Sequence, residues 1–173
     1  MTVKEIVTVD DPLIREKSKR VSHFGDRLEQ LIEDMFDSMH AAQGLGLAAP
    51  QIGVLRRVFV IEMPPQVNEE GEEIASAKRY VMVNPEIVKT RGEEEMEEGC
   101  LSVPGYRGLV KRATSVVVKG QDLEGRRIRY RGQGTLAQAF QHEIDHLDGI
   151  LYLDRVESFD KLWRIEATGE TSD

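Results

Sequence analysis

An HExxH motif at residues 142–146 constrains this chain more than any other feature, because its chemistry requires a helix. Residues four positions apart share a helix face, so the imidazoles of His142 and His146 would converge on one point, as two ligands of a metal ion. Glu143 would lie one position round the helix, near a metal-bound water without being a ligand. The motif therefore predicts a helix at about 135–147 and a metal site that can support hydrolysis.

A third metal ligand is needed, since two histidines do not hold a catalytic ion. In one design the motif continues as HExxHxxGxxH; here Gly149 is in place, but Tyr152 stands where the last histidine would be. In a second design a glutamate follows downstream. Glu166 stands twenty residues after His146, although the small polar residues around it offer little to hold it rigidly. In a third design the ligand is the thiolate of Cys100, which would leave a fourth position open.

Cys100 is the only cysteine of the 173 residues, so no intramolecular disulfide can form and a reducing cytoplasm is the expected location. A lone cysteine is normally a small buried hydrophobe. Here Glu97 and Glu98 come before it and Ser102 comes after it, which is unusual for a core strand. This environment favours a functional thiol.

The composition indicates a globular protein without a membrane or nucleic-acid role. The 31 acidic residues outnumber the 23 basic ones and give a formal charge of −8, which argues against binding to nucleic-acid phosphates. The apolar runs are too short to cross a bilayer, and residues 1–10 carry charges rather than the apolar segment of a secretory signal. The length fits one domain, residues 1–173, with a polar tail at 167–173 that we expect to be frayed.

Periodic patterns predict an α+β fold. Apolar residues spaced by three and four after Gly25 predict an amphipathic N-terminal helix that ends near Gly44. Its apolar face would consist of Phe24, Leu28, Leu31, Ile32, Met35, Phe36 and Met39. Runs of β-branched and aromatic residues predict strands at 57–63, 80–84, 114–120 and 126–131. We expect antiparallel or mixed β-sheets packed around the HExxH helix, with a long loop or loose hairpin at 64–78.

Three motifs, in this order, resemble those of bacterial peptide deformylases: GLGLAAPQ at 44–51, EGCLS at 98–102 and HEIDH at 142–146. The resemblance covers residues 5–156, and the combination of three motifs is highly specific. It implies a single deformylase-like catalytic domain. It also favours Cys100 over the two other candidates for the third metal ligand.

On this resemblance, Cys100, His142 and His146 would bind one divalent metal ion, with water or hydroxide at the fourth position. A site with these donors accepts zinc, iron, nickel or cobalt. The resemblance favours Fe(II) in the cell.

The implied activity is removal of the N-formyl group from the N-terminal methionine of newly made polypeptides, with release of formate. Metal-bound water would attack the formyl carbon, with Glu143 as the general base and later the acid. The side-chain amide of Gln51 and the backbone N–H of Leu101 would stabilise the oxyanion.

The resemblance also implies a set of substrate-binding residues. Gly44 and Gly46 would let the backbone approach the peptide, which pairs with it as a strand. The other positions correspond to the methionine pocket or to later substrate residues. The full set is Gly44, Leu45, Gly46, Met96, Gly99, Arg107 and Ala139. Thr135 and Gln138 are more polar than the pocket lining of some members, which bears on the size of the pocket.

The expected partners are N-formylmethionyl nascent peptides and, transiently, the ribosome, in the cytoplasm, with no membrane and no nucleic-acid substrate. Two other functions fit less well. A metallopeptidase that cleaves internal bonds is opposed by Tyr152, which replaces the third histidine of such a site. A non-catalytic, metal-stabilised binding module is opposed by the joint presence of ligands, water activator and oxyanion side chain.

Overall fold

The computed structural model describes residues 2–165 of the chain. The tail at 167–173 that was expected to be frayed lies outside the described residues, as does Glu166. Within the described range the fold is α+β, as predicted, with antiparallel sheets and two α-helices.

The strands are, in chain order, β1 (Gly46–Ala48), β2 (Val58–Met63), β3 (Gln66–Val67), β4 (Glu73–Ala75), β5 (Lys78–Arg91), β6 (Glu94–Cys100), β7 (Val103–Arg112), β8 (Ser115–Gln121), β9 (Arg127–Gln133) and β10 (Leu162–Arg164). The α-helices are α1 (Asp26–Ala41) and α2 (Gly134–Leu147). Short 3-10 helices occur at Pro12–Arg15, Ala49–Ile52, Tyr152–Arg155 and Phe159–Lys161.

A five-stranded sheet in the order β1-β2-β5-β8-β9 forms the centre of the molecule. Its strand β2 is buried on both faces, which explains why Val58, Phe59, Val60 and Ile61 are apolar without alternation. One face packs with α1, and the other packs with α2 through residues such as Phe140.

A three-stranded sheet in the order β10-β7-β6 lies on the far side of α2. The acidic run at 94–98 belongs to the edge strand β6. Its glutamates are mostly exposed, apart from Glu98, which is buried. Because α2 has a sheet on each side, all of its residues from Ala139 to Leu147 are buried.

One strand is longer than the pattern predicted, and the excursion expected to be a long loop or loose hairpin contains a hairpin. The strand expected at 80–84 continues to Arg91, through Pro85. The register shifts between Val83 and Glu86, so the proline, which has no N–H, lies where the ladder is interrupted. The excursion at 64–78 contains a two-stranded hairpin, β3 and β4. Among the described residues, neither helix has the length and apolar character needed to span a membrane.

Candidate metal centre

Helix α2 brings the two histidines of the HExxH motif together. The Nε2 atoms of His142 and His146 lie 3.2 Å apart, as expected for side chains one helical turn apart. Nδ1 of His142 faces Oε2 of Glu98 at 2.7 Å. That contact favours a proton on Nδ1 and leaves the Nε2 lone pair directed towards His146.

Cys100 reaches the same point from the end of strand β6. The ladder with β7 changes register between Glu98 and Cys100, and this irregularity turns the cysteine towards α2. Its Sγ atom lies 3.2 Å from Nε2 of His146. The candidate ligand atoms of Cys100, His142 and His146 all lie within 4.8 Å of one another.

The chemistry of this donor set fits a bound metal ion. A sulfur and two imidazole nitrogens, all electron-rich, point at one another, and a cation between them removes their mutual repulsion. Ligand atoms around one tetrahedral ion lie roughly 3–4 Å apart, in agreement with the two 3.2 Å separations. The protein therefore contains a Cys-His-His metal site, and the resemblance and the structure agree on the third ligand.

The electrostatics of the protein favour the ligand form of the thiol. Burial raises the pKa of Cys100, but the neighbouring His146 and His142 outweigh it and hold the pKa well below its usual range. Burial lowers the pKa of His142, whereas the charges and hydrogen bonds of Glu143, Cys100 and Glu98 raise it well above its usual value. The thiolate and the imidazolium thus stabilise each other's charge.

The carboxylate of Glu143 lies beside the donor cluster, at the floor of a cleft. A Cβ atom on Gly46 would come within 2.7 Å of its Oε2 atom, so the missing side chain of the glycine makes room for it. Burial raises the pKa of Glu143 to about 7, although His142 and His146 act in the opposite direction. Its Oε1 atom is buried and has no hydrogen-bond partner among the described residues.

The side chain of Gln51 is held in one orientation against the same site. Its Oε1 atom accepts a hydrogen bond from the backbone N–H of Ala48 at 2.9 Å. Its Nε2 atom donates to Oγ of Ser102 at 3.1 Å and lies 3.6 Å from Sγ of Cys100. The amide therefore presents N–H groups, and not its carbonyl, to the thiolate side of the cleft.

A cleft of about 530 Å³ runs over these groups. Its lining includes most of the positions predicted to bind substrate: Gly44, Leu45, Gly46, Gly99, Arg107 and Ala139. Leu101, Thr135 and Gln138 also line it. Met96 does not: it is half-buried on β6, opposite Val110. Its assignment to the methionine pocket stays a prediction.

Residues behind the histidines were missed by the sequence analysis. Arg112 is 3% exposed and forms ion pairs with both Glu98 and Asp145. Tyr152, considered only as a failed ligand position, stacks beside His142 with ring centroids 6.5 Å apart. Asp145 follows His142 by three residues, so helical spacing was the signal that could have found it. No spacing pointed to Arg112.

The site combines a thiolate on a strand, an HExxH helix that faces it, and a buried carboxylate at the floor of a cleft. These features define the protein as a small metal-dependent hydrolase. The model of the family described as polypeptide deformylase matches residues 3–162. A peptide deformylase of Heliobacterium modesticaldum is 51% identical over 158 residues, which make up 91% of this chain and 97% of the relative.

Solved structures agree. A peptide deformylase from Legionella pneumophila has a TM-score of 0.80 and 43% identity, covering 92% of this chain and 89% of its own. A class I type b peptide deformylase from Acinetobacter baumannii, solved with Met-Ala-Ser bound, has a TM-score of 0.79 and 35% identity, covering 89% and 98%. The chain belongs to the polypeptide deformylase family, and it is an enzyme of that family.

Proposed function

We propose that this enzyme removes the N-formyl group from the formylmethionine that begins newly made polypeptides, releasing formate. The observation that carries the proposal is the meeting of Cys100, His142 and His146 beside the carboxylate of Glu143 at the floor of the cleft. The Met-Ala-Ser bound to the Acinetobacter relative supports a peptide with an N-terminal methionine as the ligand of this cleft.

Cys100, His142 and His146 would hold one divalent metal ion. Such an ion, when bound, lowers the pKa of a water molecule to about 7 and polarises a carbonyl oxygen. We propose Fe(II) as the ion in the cell, with zinc, nickel or cobalt as alternatives that the same donors accept.

Glu143 moves the proton in the proposed reaction. Its carboxylate takes a proton from the attacking water as the water oxygen bonds to the formyl carbon. When the carbon–nitrogen bond breaks, the same carboxyl group returns the proton to the departing amine. The products are formate and a peptide with a free N-terminus. The burial that raises the pKa of Glu143 to about 7 in the metal-free protein supports both roles, because it makes the carboxylate a stronger proton acceptor than an exposed glutamate.

The developing oxyanion would be stabilised by two N–H donors, one from the side-chain amide of Gln51 and one from the backbone of Leu101. Both residues line the cleft. The contacts of Gln51 to Ala48 and Ser102 support this role, because they hold the amide in place before the substrate arrives.

Binding of many different peptides follows from backbone pairing. Strand β1 lies at the edge of the five-stranded sheet and borders the cleft, so a peptide can add to it as a further strand. Leu45 and Ala139 would contact the methionine side chain, and Arg107 a later position of the peptide. Gly99 would let the peptide pass close to β6.

In the cell, we propose that the chain acts as one catalytic domain in the cytoplasm, on nascent peptides at the ribosome. The formal charge of −8 supports a substrate that is not a nucleic acid.

The test is to incubate the Fe(II)-loaded enzyme, without oxygen, with formyl-Met-Ala-Ser and to measure formate and peptide products. We expect one formate for each free Met-Ala-Ser and no internal cleavage. The matched variant Glu143→Gln should bind the metal normally and lose activity by a factor of about 10³ or more. Internal cleavage of the peptide would support a metallopeptidase. Absence of formate from the metal-loaded enzyme, or full activity of Glu143→Gln, would overturn the proposal.

A further inference from the structure

A buried ion pair lies directly behind the metal ligand His142. The guanidinium of Arg112 donates from Nε to Oε1 of Glu98 at 3.0 Å and from Nη2 to Oε2 at 2.5 Å. Oε2 of Glu98 is also the partner of Nδ1 of His142. Glu98 therefore orients the imidazole while being held in place by both ends of one arginine fork.

The same arginine reaches a second carboxylate. Nη1 of Arg112 donates to Oδ2 of Asp145 at 2.7 Å, and Asp145 is 8% exposed. Asp145 in turn accepts two hydrogen bonds from Arg155, from Nε at 2.6 Å and from Nη2 at 2.8 Å. The chain of contacts thus runs from His142 through two carboxylates and two guanidinium groups to the protein surface.

The balance of charge in this series of contacts makes Arg155, at its outer end, important. Glu98 and Asp145 carry two negative charges, which Arg112 and Arg155 neutralise. Without Arg155, Arg112 would be the remaining cation for both carboxylates in these contacts and would be drawn towards Asp145. Its fork on Glu98 would then weaken, and the imidazole would lose its fixed orientation.

We propose that Arg112 and Arg155 are positioning residues that act through Asp145 and Glu98 on His142, and that they slow the release of the metal. The proposal rests on the metal site described above. It does not depend on which bond the enzyme hydrolyses. Arg155 belongs to the 3-10 helix Tyr152–Arg155, so this short helix is coupled to the metal through the arginine, although it contributes no ligand.

A matched control is an arginine from another segment that pairs with the same 3-10 helix. Arg15 pairs with Asp154, and its side chain is 43% exposed, the same fraction as that of Arg155. Arg15→Met and Arg155→Met each remove one half-exposed arginine whose ion pair joins this helix to another segment, Arg15 through Asp154 and Arg155 through Asp145. Only the second change affects the contacts that lead to His142.

The experiment measures how fast the Zn(II)-loaded, full-length protein transfers its metal to a colorimetric chelator. Loss of an outer partner of a metal ligand typically changes metal affinity by about 10–100-fold. We therefore expect Arg155→Met to release zinc about 10-fold faster than the unmodified protein, and Arg112→Lys to do the same or more. Arg155→Lys should be intermediate, because lysine restores the charge without the two-pronged contact.

Arg15→Met should release zinc at the unmodified rate, and the metal-free forms of Arg15→Met and Arg155→Met should melt at similar temperatures. Release from Arg155→Met at the unmodified rate would overturn the proposal. Equal acceleration by Arg15→Met would also overturn it, since that result would reflect general loosening of the helix. Deformylase activity of the unmodified protein, measured separately, would leave the proposed function intact in either case.

Discussion

The carboxylate of Glu143 lies where a side chain on Gly46 would have to be. A Cβ atom built on Gly46 comes within 2.7 Å of Oε2 of Glu143, and real Cβ atoms essentially never make so close a contact. The glycine of the first motif therefore has a role besides backbone pairing. It lets the proposed proton carrier stand against the edge strand of the sheet.

Replacing this glycine should impair the chemistry more than the fold. In Gly46→Ala the new methyl group would push the carboxylate away, and the far end of a flexible side chain can move at small cost. A displacement of about 1 Å can lower a rate by about 100-fold, and we expect a loss of kcat/KM of that order. Steady-state assays of formate release measure it.

Gly25→Ala is the matched control, because a Cβ atom there meets nothing within 4 Å. It should keep full activity. If both alanine variants were equally active, the close contact at Gly46 would have no catalytic meaning.

The amide of Gln51 should matter for the rate. Gln51→Met removes the N–H donor, and loss of one such donor typically lowers kcat by about 10²–10³-fold. The backbone N–H of Ala48 would also lose its acceptor, at a cost of about 1–3 kcal/mol in the free energy of unfolding. Kinetics and urea titration separate the two effects.

Metal content should stay the same in Gln51→Met. Gln30→Met, on the exposed face of α1, serves as the control and should change neither kcat nor the free energy of unfolding. An unchanged kcat in Gln51→Met would rule out the oxyanion role.

Glu98 should make the metal-free protein sensitive to acid. Burial would raise its pKa, but hydrogen bonds from His142 and Arg112 prevail and lower it from 4.5 to about 2. Between these two pKa values, Glu98 is protonated in the unfolded chain but ionised in the folded one. The free energy of unfolding therefore falls as the pH falls. The contribution is complete above about pH 4.5, is lost towards pH 2, and amounts to about 3 kcal/mol.

Urea unfolding at a series of pH values tests this. Glu98→Gln should show a flatter dependence than the unmodified protein through that window. The raised pKa of His142 does not interfere, because the histidine is protonated in both states there. Glu86→Gln removes a glutamate whose side chain is 66% exposed and should keep the unmodified dependence. Parallel curves for all three proteins would contradict the prediction.

Cys100 should make the iron form sensitive to oxygen. A thiolate beside Fe(II) can be oxidised to sulfenic and higher acids, which removes a ligand. We expect activity to decay in air with Fe(II) bound and to decay more slowly with zinc or nickel. Activity followed over time, with mass spectrometry of the peptide that contains Cys100, measures both events. The same iron form kept under argon is the control, and equal decay of the iron and nickel forms in air would refute the idea.

Several elements could be predicted from local spacing alone. The run at 58–61 predicted a strand, and the four-residue interval between His142 and His146 predicted a shared helix face. Both patterns depend only on the rise and twist of one element, which the chain carries as periodicity. The three motifs indicated the family by resemblance, since each is a short run of residues that stands in the sequence itself.

The third ligand and its support depended on tertiary structure. Spacing left three candidates open, and Cys100 lies 46 residues before His146. Arg112 is 14 residues from Glu98 and 33 from Asp145, yet it binds both. Such contacts depend on the register of β6 with β7 and on how that sheet packs on α2. Sequence by itself determined which elements form and which side chains can ligate a metal. Only the packing of distant segments decided which of them meet, because no local period records those separations.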